Sequence, residues 1–187
     1  MDIERKLTQT ELKLRDAGIQ MQIALKASDD QVFRSCINSF ISLSRSVTFV
    51  MQKESSYNPE LIAWYENRMD KLKKLAIMKF FQDKRTFTIH KGHIEPTSHT
   101  VPIISVTING VKVSASGAQI KYWVFDDIKE YLPDHSGNVL LLCEEYFIIL
   151  KRLVRDWIVQ KSIWDNPNWL NTKNFMKNIL DANTDIE

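Results

Sequence analysis

The feature that most constrains this chain is the period of its apolar residues, which is helical over most of the 187 residues and switches to two at one place. Residues 3–27 set Ile3, Leu7, Leu14, Ala17, Met21 and Ala24 at heptad-like steps, with Leu25 beside them. This is the narrow stripe of an amphipathic helix that packs on a neighbour. Ser28-Asp29-Asp30 interrupts the stripe and supplies a cap for the next helix. That helix, 31–53, carries Phe33, Ile37, Phe40, Ile41, Val47 and Met51 as its buried face. The short joint between the two makes them antiparallel neighbours. Ser35, Ser39, Ser42, Ser44 and Ser46 lie among the apolar positions, small enough to let neighbouring helices approach closely.

Asn58-Pro59-Glu60 has the order of an N-cap, a proline at the first helical position and an acid in the first turn. It predicts a third helix running to about Phe81, with Leu61, Ile62, Tyr65, Met69, Leu72 and Ala76 buried. Helical periodicity returns at 138–160 through Leu141, Leu142, Tyr146, Leu150, Leu153, Val154 and Trp157, and a short last helix is expected at 169–181. Between these, from Val101, apolar residues alternate with polar ones around Asn109-Gly110. Asn-Gly supplies the two positive φ angles of a type I′ turn, so a hairpin with strands near 103–108 and 111–116 is expected. Ile120–Phe125 reads as a third strand or as a helical start. So small a β-element is not stable alone. It is expected as an insertion near 100–125 in a single helical domain spanning 1–187.

Composition supports a globular domain: 44% of residues are apolar and 26% charged, and disorder is not expected over most of the length. Every apolar run is interrupted well short of the ~20 residues that a membrane span needs. Met1-Asp2-Ile3-Glu4-Arg5-Lys6 has no apolar core of a signal peptide, so a cytoplasmic protein is expected. Cys36 and Cys143 fit neither a disulfide framework nor a zinc ribbon and are expected to be small buried hydrophobes. The five tryptophans (64, 123, 157, 164 and 169) suit a core or interface, or base stacking.

Charge is distributed unevenly. Between Arg68 and Lys91 eight basic residues face only Asp70 and Asp83, a local +6 in a chain of net +2. Such a stretch is either a solvated helix face or an anion-binding surface. At its end stands Arg85-Thr-Phe-Thr-Ile-His90. An imidazole moves protons near neutral pH, and a guanidinium clamps a phosphate with a bidentate fork. Together they are what a metal-free ribonuclease needs. Positions five apart on a helix lie about 140° apart, so the pair converges only if the backbone bends or the side chains reach round. The structural alternative is a helix-capping cation and a loop histidine bonded to a carbonyl. His90, His93, Glu95 and His99 are also potential metal ligands, but their spacing matches no tight zinc pattern.

Two antiparallel helices, a third ending in a basic Arg-x4-His segment, and a later apolar helix (Leu141–Val154) resemble the HEPN superfamily. Asp83-Lys-Arg-Thr-Phe-Thr-Ile-His-Lys-Gly92 is similar to that family's Arg-x(4–6)-His motif. The resemblance implies an all-α antiparallel bundle that homodimerises, with the two motif copies facing one cleft. It implies RNA cleavage without a metal or other cofactor, with Arg85 and His90 catalytic, and the basic stretch around them then offers Lys79, Lys84 and Lys91 to phosphate. It also implies a toxin–antitoxin or phage-defence setting with an antitoxin or nucleotidyltransferase as partner. Thr86 departs from the pattern, because Asn, Asp or another polar residue often supports the site there. Two other readings stand beside this one: a HEPN-like dimeric interaction module whose motif is structural, and a metal-dependent hydrolase using the histidine loop.

Overall fold

A computed structural model describes residues 6–102, 106–108, 111–113 and 119–165. Among them are α1 (Gln9–Lys26), α2 (Asp30–Ser55), α3 (Pro59–Leu72), α4 (Ala76–His90) and α5 (Val139–Trp164). The strands are β1 (Thr97–Pro102), β2 (Val106–Ile108), β3 (Val111–Val113) and β4 (Gln119–Val124). The molecule is mostly helical with a small antiparallel β-element. No helix among the described residues is long and apolar enough to cross a membrane.

Local chemistry sets the helix ends. Thr8 and Glu11 form a reciprocal capping box at the start of α1. Glu54, from the far end of α2, accepts from the Gln9 and Thr10 amides at 3.1 and 3.0 Å and from the Thr10 hydroxyl at 2.6 Å. This tie runs α1 antiparallel to α2, as the short joint predicts. Asp29 caps α2, Asn58 caps α3 with Pro59 following, and Asn138 caps α5.

α2 is the spine of the core, and all six apolar positions expected to be buried on it are buried. Its first half packs with α1, α4 and the start of α5 around Phe40, which meets Phe81 and Tyr146 edge-on at 6.3 and 6.4 Å. Phe81 and Tyr146 stack at 4.3 Å. Its second half joins Val47 and Met51 to Leu61, Tyr65 and Met69 of α3 and to Leu153, Val154 and Trp157 of α5. The polar atoms there are answered: the Trp157 indole donates to Ser55 Oγ at 2.9 Å, and Tyr65 donates to the Thr48 carbonyl at 2.9 Å. Both cysteines are buried free thiols, and burial pushes the Cys143 thiol well up.

Two expectations need correction. The third helix is two helices, broken over residues 73–75. Leu61, Tyr65 and Met69 lie on one stripe, but Ile77, Met78, Phe80 and Phe81 centre roughly 140° round a continuous helix from it. A straight helix would turn one set to water, and the break lets both reach the core. Leu141, placed on the apolar side of α5, is 51% exposed, while Cys143 takes a core position beside Leu142. The strand reading of Ile120–Phe125 holds as β4, whose partner is a strand that was not expected, β1, paired from Thr97↔Val124 to Pro102↔Gln119. β2 and β3 do pair antiparallel, with Ile108 opposite Val111. The Asn109-Gly110 turn and the helix expected at 169–181 lie outside the described residues.

Candidate functional site

The candidate residues fall on the second half of α4. The first half is buried through Ile77, Met78, Phe80 and Phe81, and burial then fades toward the C-terminus. Arg85 and His90 therefore sit inside a helix and not in a segment after one, because the break at 73–75 restarts the helix late enough to include them. The helix ends at Lys91, whose amide bonds the Phe87 carbonyl at 2.8 Å, and Gly92 follows at φ +123°, a left-handed conformation that suits glycine.

The segment after α4 is held by one side chain. Asn38, buried on α2, donates to the Ile94 carbonyl at 3.1 Å and accepts from the Ile94 amide at 3.0 Å. Its amide also donates to the Arg34 carbonyl at 2.9 Å. This two-way clamp fixes where the chain leaves α4. The only sequence sign of it is an asparagine between Ile37 and Phe40 on a face that is otherwise apolar.

Arg85 is half-buried at the edge of the core-facing side, and His90 is exposed. On one helix they point about 140° apart and are offset by about 7.5 Å along the axis, so one chain does not bring them together. Neither makes a side-chain hydrogen bond or ion pair among the described residues. Thr86 turns its hydroxyl to the Gln82 carbonyl at 3.0 Å, a local backbone bond that directs it away from both. Lys79 and Lys91 are exposed, the latter with its ammonium 5.9 Å from the Phe87 ring centroid. Lys84 differs. It contacts both oxygens of Asp127, at 2.7 and 2.6 Å, and lies over the Phe80 and Phe125 rings at 5.2 and 4.9 Å. Its charge is answered inside the protein.

Two cavities flank this half of α4, and the clamped segment His93–Glu95 lines both. One, of about 620 Å³, lies by Phe80, Lys84, Phe87, Phe125, Asp127 and Tyr131. Burial and a hydrogen bond to Asp83 push the Tyr131 hydroxyl up to about 12, so it stays a neutral donor. The other, of about 1000 Å³, lies along α2. The four potential metal ligands are spread out: His90 on α4, His93 and Glu95 after it, and His99 on β1, stacked on Tyr122 at 5.4 Å. Among the described residues no three His, Cys, Asp or Glu side chains gather as a metal site would need.

With this geometry in hand, comparison with known proteins finds that the sequence model of the family described as bacteriophage lambda protein ea47 matches residues 7–120. The chain belongs to the bacteriophage lambda protein ea47 family. No curated protein and no solved structure matches it. The ea47 match takes in α1 to α4, β1 to β3 and the first two residues of β4, and so includes Asn38, Arg85 and His90. α5, which completes both halves of the core, lies beyond it.

Proposed function

We propose that this ea47-family protein is an RNA-binding, HEPN-like endoribonuclease that acts as a homodimer without a metal. The observation that supports this reading is that Arg85 and His90 are left unengaged on the outer half of α4. A structural role would tie the guanidinium to a carbonyl or carboxylate and the imidazole to a carbonyl, and among the described residues neither is so tied. Their divergence on one helix means that a working pair takes contributions from two copies across a cleft.

In that cleft Arg85 clamps the scissile phosphate through its fork and His90 accepts the proton of the 2′-hydroxyl. The 2′-oxygen bonds to phosphorus and the bond to the 5′-oxygen breaks. The leaving oxygen takes a proton from the second copy's His90, giving a 5′-hydroxyl and a 2′,3′-cyclic phosphate. Lys79 and Lys91 track the backbone, whereas Lys84, held by Asp127, is left out of that role. A phage family suits a toxin–antitoxin or phage-defence setting, with an antitoxin or nucleotidyltransferase as partner.

The test is cleavage of a broad RNA panel by purified protein in a chelator. His90→Ala is expected to lower the rate by about 10²–10⁴-fold with the fold intact. Arg85→Ala loses cleavage and affinity together, and Arg85→Lys keeps part of the binding. A panel left intact by the wild-type dimer removes the catalytic assignment. It would favour the second reading, a non-catalytic dimeric interaction module. That reading draws on the Thr86 hydroxyl committed to its own helix and on Phe87 and Ile89, exposed within the motif itself.

A further inference from the structure

The larger cavity holds a charge that the protein does not answer. Arg34 of α2 lines it, lying over the Trp123 ring at 5.3 Å from the centroid. Trp123 is itself buried and stacked on Phe33 at 4.7 Å, which makes a rigid platform for the guanidinium. Arg34 Nε is buried and has no hydrogen-bond partner, and the side chain forms no ion pair among the described residues. Nε is closed to a ligand as it is to water, and the terminal nitrogens are the donors left for one. The rest of the wall is rich in neutral polar groups: Gln20, Ser35, Ser39, Ser42 and Thr88. Ser35 and Ser42 are exposed and face this space with Ser39, so three of the five serines expected as spacers line a cavity, while Ser44 is fully buried. The volume of about 1000 Å³ is that of a small-molecule or nucleotide site.

The acids around it limit what enters. Asp29 is spent on capping α2, bonding the Val32 amide at 2.9 Å, and Asp30 is paired with Lys121. Glu95 is exposed at the rim. One guanidinium among these groups suits a single, singly charged phosphodiester and disfavours a polyphosphate. Thr88 lies one turn beyond Arg85 on α4, so the cavity opens beside the candidate catalytic segment.

We infer that this cavity is a nucleotide subsite for a single-stranded RNA, with Arg34 clamping one phosphodiester next to the scissile one. The inference rests on the RNA reading of α4 and adds the pocket that holds the neighbouring nucleotide. Arg34 presents its terminal nitrogens from the Trp123 platform, and the serine hydroxyls meet the sugar and base edges, whereas the Thr88 hydroxyl is held by the Lys84 carbonyl at 3.0 Å.

The experiment uses a short 2′-O-methyl RNA, which binds but has no free 2′-hydroxyl to attack, titrated into the full chain at several salt concentrations by fluorescence anisotropy. Arg34→Ala is expected to weaken binding about 10-fold or more and to lower the slope of log affinity against log salt by about 0.7, one phosphate contact on a single strand. Arg34→Lys keeps the charge and the stem on Trp123, so it should preserve the slope and still lose affinity several-fold. Ser39→Leu fills the cavity without touching Arg34, and it too should weaken binding. If folded Arg34→Lys and Ser39→Leu bind like wild type while Arg85→Ala binds weakly, the subsite is wrong and the RNA reading stands. If wild type binds no RNA, the reading beneath it falls, and the subsite with it.

Discussion

Asn38 shows how a single side chain positions the candidate site. Its amide satisfies both backbone groups of Ile94 in a dry environment, and no other described group replaces it. Asn38→Ala should therefore cost about 1–3 kcal/mol in denaturant unfolding, because the Ile94 amide and carbonyl are left buried and unpaired. Asn38→Asp should cost no less, since it puts a carboxylate against the Ile94 and Arg34 carbonyls. An unchanged midpoint in both would show that the clamp is not what holds this segment. Arg85 and His90 were legible as residue types with the right chemistry. Their placement on the inner edge and the outer face of one helix was not, because it follows from where α4 starts.

At the scale of elements, α5 is fastened by charges as well as by its apolar face. Arg68 of α3 donates to Asp156 at 2.6 Å, and Arg155 donates to the same carboxylate at 2.9 Å. Burial pushes the Asp156 carboxyl up, but these two guanidiniums outweigh it and hold it below the usual carboxylate range. The same balance lowers Asp165, where burial is outweighed by hydrogen bonds from Lys161 and Tyr57. A carboxyl lowered by folding binds fewer protons folded than unfolded. Its contribution is present above the unfolded value near 3.8 and is lost as pH falls through the lower folded one. Urea unfolding should accordingly show stability dropping below about pH 4, and Asp156→Asn should flatten part of that drop. A wild-type and variant curve of the same shape would rule the pair out as its source. Gly137, before α5, holds φ +80°, and a Cβ there would meet Val124 Cγ1 at 2.8 Å. Gly137→Ala should cost about 1–2 kcal/mol in the same assay from its backbone conformation, with the clash added to that. The phase jump between Met69 and Ile77 is visible in the sequence, and reading it as a break would have found α4. β1 leaves no such trace: all six of its residues are exposed, so burial never imposed an alternation on them.

At the scale of the whole molecule, α5 closes the core at both ends, with Leu142, Tyr146 and Leu150 in one half and Leu153, Val154 and Trp157 in the other. A fragment ending at residue 120 keeps the family-matched stretch but leaves α2 and α3 with bare apolar faces. It should show no cooperative thermal transition by circular dichroism, and a cooperative melt would mean that α1 to α4 suffice as a core. Homodimerisation, which the proposed site requires, is checked by sedimentation at micromolar concentration, where a monomer would count heavily against it. The sequence by itself determined the helical class, the α1–α2 hairpin, the caps and the pairing of β2 with β3. Those are local matters of period, capping and turn chemistry. Only the tertiary structure decided that α3 and α4 are separate, that β1 closes on β4, that Lys84 is spent on Asp127 and that Arg34 stands unanswered beside a cavity. Each depends on which residues distant in sequence arrive at the same place, and the pattern along one chain does not carry that information.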